Sequence, residues 1–100
     1  MIISNLEGGY VKFGNGSDLN NFYPQKINNI KNTIVIKDLV LEDLTNSVNI
    51  ISTFDDKIET DITEVGIFDK YDNIIFYSYF DTIYKLDNVD FKYKLTVYKD

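Results

Sequence analysis

The stretch Ile62-Thr63-Glu64-Val65-Gly66-Ile67-Phe68, joined through Asp69-Lys70-Tyr71-Asp72-Asn73 to Ile74-Ile75-Phe76-Tyr77-Ser78-Tyr79-Phe80, decides the fold. Both arms are rich in β-branched and aromatic residues, which fit a pleated, half-buried surface. The connection is dominated by Asp and Asn, whose side chains bond nearby backbone amides and tolerate left-handed geometry. The pair predicts a β-hairpin. Its second arm is apolar on both faces apart from Ser78. That predicts a central strand covered on both sides, or one that faces a partner chain.

Further strands lie on either side of the hairpin. In Phe91-Lys92-Tyr93-Lys94-Leu95-Thr96-Val97-Tyr98-Lys99 the residues Phe91, Tyr93, Leu95 and Val97 alternate with polar ones. A period of two marks a half-buried strand. Ser47-Val48-Asn49-Ile50-Ile51-Ser52-Thr53-Phe54 reads as a strand ended by Asp55-Asp56. Thr33 to Leu41 reads as another, because Ile34, Val35 and Ile36 are all β-branched. A helix over 37–46 is the competing reading there, with Leu39, Val40 and Leu44 on one face. Tyr10-Val11-Lys12-Phe13 is a short strand between glycine pairs. The polar stretch from Ser17 to Asn32, with the sole proline Pro24, predicts a long surface loop with a short helix near 25–31. The expected fold is mainly β (β or α+β): a single compact antiparallel sheet or sandwich-like domain over residues 1–100, with a long N-terminal loop and at most one short helix.

Composition narrows the chemistry. The chain has 100 residues and a formal charge of −6, with no His, Cys, Trp, Arg or Ala. One domain is the natural reading at this length. Without His or Cys, the usual zinc sites, a thiol nucleophile and a Ser-His-Asp triad are all out of reach. Without Arg there is no guanidinium fork for phosphate, and the negative balance disfavours a polyanion, so no nucleic acid is expected. No basic n-region precedes an apolar segment at the start, and runs such as Ile74 to Tyr77 are far short of a bilayer span. Neither secretion nor membrane insertion is expected.

Three constellations invite chemistry. Gly14-Asn15-Gly16-Ser17 lacks the Gly-Lys-Ser/Thr ending of a phosphate loop and reads as a turn. Asp55 with Asp56, and Asp69 with Asp72, provide paired carboxylates for glycoside hydrolysis or calcium, but Asp is equally at home in solvated turns. No catalytic, cofactor or metal residue is assigned. The aromatic run Phe76 to Phe80 with Tyr84 suits a sheet core, a sugar-stacking platform or a protein interface.

The hairpin also resembles the core pattern of phage tail-collar fibre proteins. That family reads Ile-x-Glu-Ile-Gly-Leu-Phe-Asp, a turn ending in Gly-Asn, then Leu-Ile-Ala. Ile62, Glu64, Gly66, Phe68 and Asp69 match the first part, and Asn73 with Ile75 the second. Phe80-Asp81-Thr82-Ile83-Tyr84-Lys85 is similar to the family's Phe-Pro-x-x-Tyr-Lys, which adds Tyr84 and Lys85. Tyr93 to Val97 is similar to its closing strand, and Val11 to Gly16 to an early Leu-Gly-Asp-Gly turn. Asp72 stands where the family has Gly, and Asp81 where it has Pro.

The resemblance implies a non-enzymatic adaptor. It would attach a tail fibre to the baseplate of a phage, or of a tail-like particle such as a contractile bacteriocin, assembled in the host cytoplasm. The implied partners are other tail or baseplate proteins and tail-fibre chains. A homo-oligomer follows too, a trimer by analogy with fibres. Members commonly continue into a trimeric shaft, whereas this sequence stops after the last strand, which implies a fibre base without its fibre. The AT-rich residue usage fits a low-GC host. Phe76, Tyr77, Tyr79, Phe80 and Tyr84 are the expected contact residues. The alternative is a receptor- or carbohydrate-binding tip that uses the same aromatics.

Overall fold

A computed structural model describes residues 3–16, 30 and 32–99. Among these residues, seven strands and one helical turn follow in the order α1 (Ile3–Leu6), β1 (Tyr10–Gly14), β2 (Thr33–Asp38), β3 (Val40–Asp43), β4 (Ser47–Phe54), β5 (Thr60–Phe68), β6 (Ile74–Lys85) and β7 (Phe91–Tyr98). They form two antiparallel sheets, β2-β1-β5-β6 and β3-β4-β7. The fold is mainly β, as expected from the sequence. The expected loop over 17–32 and its helix lie, apart from Ile30 and Asn32, outside the described residues.

The sheets meet face to face because each strand turns one apolar row inward. Val11 and Phe13 of β1 pair with Ile67 and Val65 of β5, and all four are fully buried. Val48, Ile50 and Phe54 of β4 close the core from the other sheet, with the alternating row of β7 beside them. Phe13 anchors the middle, tilted against Phe54 and edge-on to Phe91, both favourable ring arrangements. The outer face of the smaller sheet is largely polar, with Val40 and Tyr98 exposed on it. There the Thr96 hydroxyl donates to Asn49 (2.7 Å), and the Asn49 amide donates to Glu42 (2.7 Å), linking all three strands.

Two expectations need correction. The segment 33–41 is neither one strand nor a helix. It breaks at Leu39, so that β2 stays in the larger sheet and β3 crosses to the smaller one. Ser52 fastens the crossing by donating to the Asp38 carbonyl (2.9 Å). The second hairpin arm, β6, is an edge strand and not a central covered one. The inner strands are β1 and β5; β5 is hydrogen-bonded on both sides by β1 and β6 and buried continuously from Ile62 to Phe68. On its inner face Phe76 and Phe80 pack against the core, whereas Ile75 and Tyr79 are exposed.

The helical turn α1 was not anticipated. Gly8, at φ 84°, ends it in the left-handed conformation that costs glycine least. The Lys70 amide then donates to the Asn5 carbonyl (2.8 Å), which ties the N-terminus to the hairpin turn.

Candidate functional site

The motif residues of the hairpin fall into three groups: a turn, a strand centre and a buried ammonium. At the turn, the Asp69 carboxylate accepts from the amides of Tyr71 (2.8 Å) and Asn73 (3.0 Å), while the Asp69 amide donates to the Asn73 carbonyl. The Asn73 amide hydrogen bond holds the Asp69 carboxyl below the usual carboxylate range, with the Tyr71 amide adding to the effect. Asp72 sits at φ 66°, a left-handed geometry that Asp tolerates through local hydrogen bonding. Its side chain accepts from the Tyr10 hydroxyl (2.8 Å). The Tyr10 ring in turn stacks on Phe68, 5.0 Å between centroids and 7° from parallel.

At the strand centre, Ile62 joins the core and Gly66 makes room on the opposite face. A Cβ on Gly66 would lie 2.8 Å from the Ile30 side chain, so a bare backbone lets residue 30 seal this surface. Glu64 is fully buried, and the Tyr77 hydroxyl donates to its Oε1 (3.2 Å).

Lys85, 3% exposed, ends β6. Its ammonium donates to three backbone carbonyls: Asp56 (2.7 Å), Leu86 (3.1 Å) and Ile58 (3.2 Å). It also lies 4.8 Å from the Phe54 ring centroid. An ammonium has three donors and no acceptor, so three carbonyls satisfy it completely. Lys85 therefore staples the 55–59 loop to the end of the hairpin.

The five expected contact residues do not share one surface. Phe76 and Phe80 turn inward and pack against the core. Tyr77 is half-buried through its bond to Glu64, whereas Tyr79 is 43% and Tyr84 57% exposed. Ile75, expected only as a motif residue, falls at a register shift. It lines a groove of about 400 Å³ with Leu6, Ile50, Phe76, Leu95 and Val97, where the β6 and β7 edges diverge.

The paired carboxylates serve local structure. Asp55 and Asp56 both hold the Lys37 ammonium, each at 2.8 Å, and Lys37 keeps the Asp55 carboxyl below its usual range. Asp69 and Asp72 belong to the hairpin turn, and Asp81 is exposed on β6. Among the described residues no group of three or more His, Cys, Asp or Glu is placed to hold a metal ion.

The sequence reading missed a surface at the Lys85 end. Ile58, Ile83, Tyr84, Leu86 and Val89 are all exposed there. Segments 55–61 and 81–90 surround them with seven carboxylates and two lysines, a net −5 of the chain's −6. The Tyr84 hydroxyl donates to Glu59, which raises the tyrosine's pKa. The alternation Leu86-Asp87-Asn88-Val89-Asp90, apolar residues on a turn otherwise made of acids and Asn, is the signal that could have found it.

No family model, curated protein or solved structure matches the chain.

Proposed function

We propose that this protein is a structural attachment module of a phage tail or tail-like particle, acting through surface complementarity. One observation carries the reading: exposed large apolar side chains concentrate on β6 and the turn after it. Ile75, Tyr79, Ile83, Tyr84, Leu86 and Val89 make up half of the twelve such side chains on the described residues. Soluble monomers seldom gather apolar surface in this way, and a polar rim around it marks a partner contact.

The tail-collar resemblance adds which assembly is meant, and the hairpin geometry supports it. Asp72 replaces the family's turn glycine and occupies the left-handed conformation that glycine takes most easily. The motif residues Asp69, Asn73 and Lys85 each bond backbone and so frame the strand between them. In this reading the hairpin is the frame, and the Ile83–Val89 end is the surface that meets another tail or baseplate protein. Its acidic rim favours a partner whose facing surface is basic.

Binding to baseplate and fibre proteins encoded beside this gene tests the proposal. Tyr84→Ala with Leu86→Ser is expected to weaken binding at least tenfold while the fold is kept, because two exposed apolar anchors are removed. If no neighbouring tail protein binds the wild type, the reading fails. A glycan signal lost on Tyr79→Ala or Tyr84→Ala would instead favour a carbohydrate-binding tip.

A further inference from the structure

Among the described residues β6 is the last strand of its sheet, and it is charge-free and without proline over Ile74 to Phe80. Edge strands are normally protected by charges, proline, bulges or a covering element, since their free N–H and C=O groups template pairing with another strand. Here the register with β5 shifts near Ile75 and again after Tyr79, so the pairing is regular from Phe76 to Tyr79, within the stretch Phe76-Tyr77-Ser78-Tyr79-Phe80. That stretch is a palindrome centred on Ser78.

We infer that two copies of this chain pair through β6, antiparallel, about a two-fold axis at Ser78. The inference deepens the attachment-module reading by naming the partner of the β6 edge, which is distinct from the Ile83–Val89 surface. In this register each Phe76 lies opposite the second copy's Phe80, and each Tyr77 opposite the second copy's Tyr79. The small Ser78 residues meet at the axis. Phe76 and Phe80 face the core side of the sheet, so their pairing extends the apolar layer across the junction. Tyr77 and Tyr79 pair on the outer side, giving aromatic cross-strand contacts on both faces.

Charge selects the same orientation. A parallel pair of β6 strands would set the two 81–90 ends side by side, each part of a region carrying net −5. The antiparallel pair sends them to opposite ends and places Asp81 against the second copy's Ile75. No like charges then face each other across the junction. A two-fold contact is also self-complementary and closes after two subunits, so it makes a dimer and not a fibre-like trimer. The paired stretch is short, about 17 Å at the usual strand rise, so a reversible monomer–dimer equilibrium is expected.

The absence of native cysteine makes the test direct. Residues opposite each other in a strand pair lie close enough for a disulfide, whereas diagonal neighbours do not. Under mild oxidation Ser78→Cys is expected to give a covalent species of twice the 11.6 kDa chain mass. Tyr79→Cys, opposite residue 77 in the proposed register, is expected to remain uncrosslinked. Sedimentation of the wild type should show a monomer–dimer equilibrium, and Tyr79→Lys should shift it at least tenfold toward monomer with unchanged circular dichroism. A wild type that stays monomeric into the millimolar range overturns the inference, as does a trimer. Equal crosslinking of the two cysteine variants overturns it as well, because that pattern belongs to a parallel pair. None of these readouts involves a tail protein, so failure here and failure to bind the baseplate are separate results.

Discussion

Lys85 shows how one side chain can hold two elements together. Its ammonium lies over the Phe54 ring and donates to the carbonyls of Asp56, Ile58 and Leu86. A lysine buried without acceptors would be very costly, but three acceptors replace the water it leaves. Lys85→Met keeps most of the apolar stem and removes the donors. Each orphaned carbonyl then costs about 1 kcal/mol, so unfolding free energy should fall by about 3 kcal/mol in a urea titration. A loss below about 1 kcal/mol would mean that water replaces the ammonium at this site. Lys85→Arg should not rescue it, because a planar fork cannot aim at three carbonyls arranged around a point charge.

At the scale of elements, the hairpin turn depends on ionisation. The Asp69 carboxyl has a depressed pKa in the folded state because it accepts backbone N–H groups. Its contribution is therefore fully present above the unfolded value, about 4, and is lost as pH falls through the lower folded value. Asp55 on Lys37 behaves in the same way. The urea midpoint should thus be flat from about pH 7 to 5 and decline below about pH 4. Asp69→Asn, which has no carboxyl to protonate, should lose stability at pH 6 and show a shallower acid decline. An acid limb of unchanged slope would assign the pH dependence to other groups.

The same hairpin marks the boundary of what its sequence discloses. The turn, both arms and the alternating strand β7 were legible, because Asx turns and a period of two are local signals. The order of strands in the sheet was not. Periodicity reports which faces meet apolar surroundings, and β6 meets them on both faces without being central. Conversely, Glu64 makes β5 look half-exposed, although Tyr77 and the neighbouring strands enclose it. The break at Leu39 left no mark either, since Ile34 to Leu41 is apolar enough to continue as one strand. Of the five expected contact residues, Tyr79 and Tyr84 are the well-exposed ones, because inward and outward positions in an aromatic run depend on register.

For the whole molecule the dominant asymmetry is electrostatic. Segments 55–61 and 81–90 converge at one end through the Thr60–Lys85 and Asp61–Tyr84 pairs, and they concentrate a net −5 there. Lys37 reaches in from β2 and offsets part of it through Asp55 and Asp56. Two opposing effects follow from added salt: screening relieves repulsion within the acidic end, and it weakens the Lys37 pairs. Repulsion should win, because the seven carboxylates outnumber Lys37, Lys57 and Lys85, and exposed ion pairs contribute only about 0–1 kcal/mol. The melting temperature should therefore rise between about 10 mM and 0.2 M NaCl, as the Debye length shrinks from about 30 Å to under 10 Å. Asp87→Asn with Asp90→Asn should reproduce that rise at low salt, by about 1 kcal/mol for the pair, or about 4–8 °C in a domain of this size. The gain should vanish at high salt, where screening has already removed the repulsion. A melting temperature that falls with salt would instead assign the net effect to the Lys37 pairs, and the acidic end would then be stabilised by its carboxylates.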